Sequence, residues 1–457
     1  MSAKADLPNS EELERDAAQL HETHGRVDAG EIAVGVIIGR TSEFFDFFVY
    51  AIASVVVFPR LIFPHLPPID GMVWSFGLFA LAFLARPLGT AFFIAIDRRF
   101  GRATRLTTAL LLLGTSTVAV AFVPSHAQLG IWAAIVLGLF RIGQGVALGG
   151  AWDGLPSLLA LSAPEKRKGW YAMVPQLGAP IGLLVASALF AYLLSVLSAE
   201  DFLDWGWRYP FFCAFAINVV ALFARLRIVV TPTFQDLFKS RELQPTPVFQ
   251  AIRAEGPRIV IGAFAPLASF AMFHMVTVFP LSWVFLFTEE APSRFLMIEM
   301  IGAVAGIFAI MASGVLADRY GRRAVLAATA AAIAAFSGFA PQLLDAGPMG
   351  ELTFMVSGFI LLGLAFGQAS GAVAGSFATK HRYTSSALTS DLAWLFGAGF
   401  APAAALLLSV HGGLLASGAY LLSGAVITLI ALWLNRTLGH SHLPEKAKAA
   451  TKAATPE

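Results

Sequence analysis

Charge is scarce in this chain: Asp, Glu, Lys and Arg make up 13% of 457 residues, against 57% hydrophobic ones. A soluble domain carries about a quarter of its residues as charges to cover its surface, so the soluble globular class is excluded. Cysteine is almost absent. The single Cys213 has no partner for an internal disulfide and implies no oxidising compartment. Also missing are the alternating apolar stretches of about ten residues that mark a membrane β-barrel. No nucleophile–base set, metal-ligand cluster or phosphate-binding loop is apparent, so neither an enzyme nor a cofactor or metal is expected. The formal net charge of +2 gives no reason to expect a nucleic-acid partner. No secretory leader is visible either, because the polar start holds the acidic run Ser10-Glu11-Glu12-Leu13-Glu14, suited to a short surface helix.

What the chain has instead is apolar windows, each long enough to cross about 30 Å of hydrocarbon as a helix. They predict an all-α membrane protein with spans at Ile32–Phe58, Gly71–Ile96, Thr104–Pro124, Leu129–Leu148, Tyr171–Leu197 and Pro210–Val230. Six more follow at Arg258–Phe287, Phe295–Ala317, Ala324–Leu344, Leu352–Phe377, Ser385–Val410 and Gly412–Leu434. Basic residues are distributed very unevenly between the two ends of these spans. Of 31 Lys and Arg, only Arg60, Arg208 and Arg294 fall at one end, and Arg40, Arg86 and Arg141 fall inside spans. The rest gather at the other end, here called the basic end, with both termini. The positive-inside rule places that end in the cytoplasm.

A loop rich in Pro and charge, Thr231 to Gly256, divides six spans from six. Two echoes suggest duplication: Asp97 to Arg102 (Asp-Arg-Arg-Phe-Gly-Arg) with Asp318 to Arg323 (Asp-Arg-Tyr-Gly-Arg-Arg), and Leu137-Gly138-Leu139 with Leu362-Gly363-Leu364. The predicted organisation is a tail over 1–31, a six-helix bundle over 32–230, a linker over 231–257, a second bundle over 258–436 and a tail over 437–457. Two pseudo-symmetric bundles around a central cavity is what such a repeat implies.

The segment Gly314-x-x-x-Asp318-Arg319-x-Gly321-Arg322-Arg323 follows one span and opens another. Its Gly permits close helix packing, and acid and base at a helix end can pair with a neighbour or with helix dipoles. It resembles the loop signature of the major facilitator superfamily; the plainer reading is a positive-inside anchor. The first copy departs from the pattern. Aligned on Gly101-Arg102, the acid's place is taken by Arg98, and Asp97 stands one residue early, roughly 100° around a helix. Either that helix end adjusts or this latch is weaker than its partner.

Other stretches resemble the metabolite:proton symporter branch of that superfamily over nearly the whole chain. They are Glu43-Phe44-Phe45-Asp46-Phe47, Arg86-Pro87-Leu88-Gly89, Arg141-x-x-Gln144-Gly145 with Gly149-Gly150, and Gln176-Leu177-Gly178-Ala179-Pro180-Ile181-Gly182. Gly206-Trp207-Arg208-Tyr209-Pro210-Phe211, Thr231-Pro232-Thr233-Phe234 and Arg382-Tyr383-Thr384 agree as well. The resemblance implies alternating-access uptake of small polar metabolites, often carboxylates or zwitterions, driven by protons. It also implies departures: the family usually has Asn where Arg40 stands, Glu where Ala151 stands and Asn where Asp391 stands. Asp153 stands two residues beyond Ala151 and is a candidate to replace the lost carboxylate.

A charge in the bilayer centre costs at least about 2.5–3.5 kcal/mol, so each one is a functional candidate. In the first span Arg40, Glu43 and Asp46 recur every third residue on one face, with Glu43 beside both neighbours. One cation between two acids leaves a surplus negative charge, a candidate for reversible protonation; a static ion-pair cluster is the alternative. Asp153, Asp391 and His274 are further proton candidates, each with a structural reading, while Glu299 is expected to be solvated. Arg86 and Arg141 have no acid at i±3 or i±4, so each is expected to pair with another helix, a substrate or both. Gln144, Arg40, Arg208 and His274 complete the expected substrate-binding set. Phe44, Phe45, Phe47, Phe48 and Tyr50 are read as lipid-facing or packing residues. Asp97, Arg98, Arg102, Asp318, Arg319 and Arg322 are the gating candidates.

The expected protein is therefore a monomeric, multi-pass carrier in a bacterial inner membrane, with a small organic anion or zwitterion and protons as its partners. A proton-driven exporter and a transporter-like sensor are the alternatives.

Overall fold

The computed structural model describes residues 29–151, 159, 163–229, 244–369, 377–378 and 380–434. Twelve principal helices follow in order. The first six are α1 (Ala29–Val56), α2 (Pro68–Phe100), α3 (Arg102–Val120), α4 (Trp132–Ala151), α5 (Lys168–Val196) and α6 (Tyr209–Val229). Next comes α7, in three pieces: Val248–Phe264, Leu267–Thr277 and Phe279–Phe287. The last five are α8 (Pro292–Tyr320), α9 (Arg322–Ser337), α10 (Gly347–Phe366), α11 (Arg382–Gly412) and α12 (Gly418–Leu434).

Among the described residues, ten spans are long and apolar enough to cross a membrane. The two principal helices outside that set have evident reasons. Helix α1 carries Arg40, Glu43 and Asp46 through its middle, and α9 is only 16 residues long. Among helix starts the largest difference from the sequence expectation is that of α7, at Val248, ten residues before the expected Arg258. Its added turns contain Arg253 and Glu255, so no apolar window marks them.

The internal echo is also conformational. Gly101 and Gly321 both adopt positive φ (87° and 86°) where α2 turns into α3 and α8 into α9. An L-residue is strained there, which is why both copies hold Gly. Helices α2 and α4 approach closely: a Cβ at Gly145 would collide with the backbone of Ala82, and one at Gly149 with that of Arg86. This contact fixes Arg86 and Arg141 on neighbouring helices.

Large apolar side chains such as Leu88, Phe308 and Trp433 remain exposed on the outer surface, as hydrocarbon contact requires. The core between the halves is aromatic. Phe44 and Phe48 of α1 lie 5.8 and 5.7 Å from Phe273 of α7, and Phe44 is 6.0 Å from Trp394 of α11. Phe44, Phe45, Phe47, Phe48 and Tyr50 are all buried, which corrects the lipid-facing reading in favour of packing. A π-helical turn at Leu395–Gly399 widens α11 directly after Trp394.

Candidate functional site

A small cavity, partly open to solvent, lies between α1, α2, α4 and α11. Its polar wall is Arg40, Glu43, Arg86 and Arg141, faced by aromatic rings that include Phe47, Phe83 and Trp394. The local helical period puts Arg40 over Glu43, and they form an ion pair at 2.6 Å. Asp46, one turn further, turns away from them. Its carboxylate accepts from Thr117 Oγ1 (2.8 and 2.7 Å), Asn218 Nδ2 (3.0 Å) and, at 3.4 Å, Gln144 Nε2. The expected single three-charge cluster is thus corrected to a pair and a separate, fully enclosed carboxylate.

Arg86 has a partner that its own helix does not supply. Its Nε donates to Asp391 Oδ1 of α11 at 2.7 Å, and Thr90 Oγ1 donates to Asp391 Oδ2 at 2.5 Å. Asp391 thus binds the two halves together. Arg141 is built differently. Its Nε donates to the carbonyl of Phe79 (3.2 Å) and its Nη1 to Gln144 Oε1 (3.0 Å). Its Nη2 is buried without a hydrogen-bond partner, and its Cζ sits 3.9 Å from the centre of the Tyr50 ring. Gln144 therefore links Arg141 to Asp46 without letting them touch.

His274 is fully buried on the middle piece of α7, stacked on Phe47 at 5.3 Å. Glu299 is not solvated, contrary to expectation. It has no exposed surface and accepts from Ser187 of α5 at 3.1 Å, because this face of α8 meets the other half rather than solvent. Arg208 lies at the opposite end, donating to the carbonyls of Asp204 (3.2 Å) and Ala121 (2.5 Å) and covering Trp207, apart from the cavity wall. Asp153 falls outside the described residues.

A family profile for the Major Facilitator Superfamily matches residues 41–402. The chain belongs to the major facilitator superfamily. It is 35% identical over 422 residues to the inner membrane metabolite transport protein YhjE of Escherichia coli K12, covering 90% of this chain and 95% of that one. The shikimate transporter of the same organism is 29% identical, covering 89% of this chain and 94% of the relative. Among solved structures, a D-xylose-proton symporter superposes with a TM-score of 0.68 at 18% identity, covering 90% of this chain and 98% of that chain. The protein is a multi-pass membrane transporter of metabolites and not an enzyme.

In this superfamily member the two loop signatures meet the opposite half at the basic end. Asp318 accepts from the backbone N–H groups of Gly169 (2.6 Å) and Trp170 (3.2 Å), capping the first turn of α5. Gln368 bridges the same place, donating to the Gly169 carbonyl at 3.2 Å and lying 3.4 Å from Arg322 Nε. Asp97 makes no matching cap among the described residues. It holds Arg105 (3.1 Å) and Arg102 (3.6 Å), and Arg105 Nη1 donates to Tyr383 Oη of α11. The one-residue shift is thus absorbed by routing the contact through an arginine. Arg98 and Arg319 are exposed, and Arg319 lies over the Tyr320 ring at 5.3 Å.

Thr117, Asn218 and Tyr50, which surround Asp46 and Arg141, did not stand out in the sequence as site residues. Their signal was available for two of them: a Thr and an Asn inside apolar spans need a hydrogen-bond partner there. Arg105 carried the signal of its place in the loop repeat.

Proposed function

We propose that this transporter is a proton-coupled symporter that takes up a small organic carboxylate by alternating access, with Asp46 as the proton site and Arg141 as the carboxylate site. One observation carries the reading. Asp46 and Arg141 are both buried, are linked through Gln144, and make no direct ion pair, while Arg141 keeps an Nη2 without a partner beside the cavity. A buried cation with unused donors is costly unless an anion supplies the missing contact. A proton on Asp46 would remove the negative charge that Thr117, Asn218 and Gln144 address, and it would leave Arg141 as the uncompensated charge.

Arg40 and Glu43 line the same cavity as a pair, and Arg86 with Asp391 closes its basic side. The unequal charge of the two ends supports a basic end, with both termini, that faces the cytoplasm. The name of the YhjE relative supports a bacterial inner membrane. The loop contacts at Asp318 and Asp97 are read as the gate on that side, and the chain as a monomer of two six-helix bundles joined near 231–257.

The test is uptake into proteoliposomes under an imposed proton gradient. Wild type should accumulate its substrate uphill, Asp46→Asn should exchange substrate without accumulating it, and Arg141→Lys should lose binding because the forked geometry goes. Accumulation by Asp46→Asn equal to wild type would remove Asp46 from the coupling step. Accumulation against an opposite gradient would favour export instead.

A further inference from the structure

Three buried polar atoms around Phe47 and Phe79 lack hydrogen-bond partners among the described residues: Arg141 Nη2, Tyr50 Oη and His274 Nε2. Their residues have relative exposures of 1%, 0% and 0%. They are neighbours. The Arg141 guanidinium lies 4.9 Å from the Phe79 ring centre and 5.9 Å from that of Phe47, and the His274 imidazole lies 5.2 and 5.3 Å from the same two rings. Tyr50 stacks under Arg141. Two of the atoms belong to the first half and one to the second. Buried polar groups are mostly paired, so orphans that flank the same two rings call for an explanation, and a bound molecule supplies one.

The hydrogen-bond pattern says what chemistry that occupant brings. Thr277 Oγ1 donates its proton to the carbonyl of Phe273 at 2.8 Å, so towards His274 Nδ1, 3.4 Å away, it can act only as an acceptor. Nδ1 therefore carries the ring proton, and the neutral imidazole presents a bare lone pair at Nε2. Arg141 Nη2 offers only donors, and Tyr50 Oη can do either. The matching molecule has an anionic acceptor for Arg141 and a donor for His274. An ammonium as that donor would bring a second cation towards Arg141, where no carboxylate of the described residues touches the guanidinium; a hydroxyl brings none. Phe47 lines the cavity and stacks on the imidazole, so it stands between the two.

We infer that the substrate is a hydroxy carboxylate, its carboxylate held by Arg141 and a hydroxyl donated to His274 Nε2, with Tyr50 Oη as the adjoining contact. The inference rests on the carboxylate reading proposed above and names the second group of the same substrate. A site built to hydrogen-bond a hydroxyl rejects the analogue without it, because its buried polar atom is then left unpaired.

The test is calorimetric binding to the purified full chain with three matched pairs of acids: shikimate and cyclohex-1-ene-1-carboxylate, malate and succinate, lactate and propionate. The amides of the tighter members, and serine against its hydroxy acid counterpart glycerate, complete the panel. In at least one acid pair the hydroxylated member should bind at least tenfold more tightly. His274→Phe should bring that ratio close to one while the acid still binds, and His274→Gln, whose Oε1 accepts, should keep most of the preference. Melting of the unliganded variants shows that each is folded. No preference in any pair, or a preference that survives in His274→Phe, overturns the inference; a preference for serine over its hydroxy acid counterpart assigns the donor to an ammonium and overturns it too. If acids surpass amides but hydroxyls have no effect, this inference alone fails. If amides bind as well as acids, or no acid binds, the carboxylate reading fails with it.

Discussion

Replacing Asp391 by Asn should open the basic end of the transporter. In the present conformation Arg86 Nε and Asp391 Oδ1 are 2.7 Å apart, with side-chain exposures of 11% and 2%. Removing one member of such a buried pair typically costs about 3–5 kcal/mol, since the remaining charge is left uncompensated. Arg86 is on α2 and Asp391 on α11, so the cost falls on the conformation in which the two helices touch. When they part, water reaches Arg86 and the cost disappears. At 1.4 kcal/mol per tenfold, the shift in the closed-to-open ratio is roughly a hundredfold to several-thousandfold. The assay is the rate at which a maleimide labels a single cysteine at Leu148, on the cavity wall, in inside-out vesicles. The exposed Cys213 is first replaced by Ser. Asp391→Asn should raise that rate at least tenfold, and Arg86→Lys should raise it less because charge is retained while geometry is lost. An unchanged or slower rate in a variant that melts like wild type would show that the pair does not hold the end closed.

Asp318→Asn should slow uptake more than Asp97→Asn at equal expression, because Asp318 caps α5 directly whereas Asp97 reaches α11 only through Arg105; the reverse order would remove the register argument. Tyr383→Phe should reproduce the effect of Asp97→Asn on uptake, since both break the same contact, and a much larger effect of either would separate them. Single cysteines at Ser2, Gln244 and Ser441 should resist an impermeant thiol reagent added to intact cells. Strong labelling at any of the three would invert or break the assigned topology.

The spans were legible because twenty apolar residues in a row have few alternatives. The partners of the charges inside them were not. Arg86 and Asp391 are separated by 305 positions and meet only because α2 packs on α11, a tertiary fact with no local pattern. Glu299 reads as solvated from its place near the start of a span, yet that face of α8 packs on α5 and buries it completely. In α1, periodicity placed Arg40, Glu43 and Asp46 on one face correctly, but a face about 120° wide can address two neighbours at once. Glu43 turns to Arg40 while Asp46 turns to α3 and α6. Two of the three departures from the family pattern, Arg40 and Asp391, carry opposite charges and both supply an ion pair in or beside the cavity.

The charge ledger of this site yields a further test of the proposed symport. Among the described residues Arg40 is matched by Glu43 and Arg86 by Asp391, which leaves Arg141 and Asp46 as the third cation and third anion. With the site empty and Asp46 ionised, the sum is zero. With Asp46 protonated and a monocarboxylate on Arg141, it is zero again. Proton alone or anion alone leaves one unit of net charge in a region of low dielectric, which costs several kcal/mol. The two neutral states are then the ones that cross between open ends, and one proton accompanies one anion. Such a cycle moves no net charge. A monocarboxylate should accumulate in proteoliposomes about tenfold per unit of pH difference, the equivalent of 1.36 kcal/mol. A potassium diffusion potential imposed with valinomycin at equal pH should drive no accumulation, although about 2.3 kcal/mol per 100 mV would act on any uncompensated charge. Accumulation driven by the potential alone would mean that more than one proton enters per anion, and that a second carboxyl, with Glu43 the first to examine, titrates during the cycle.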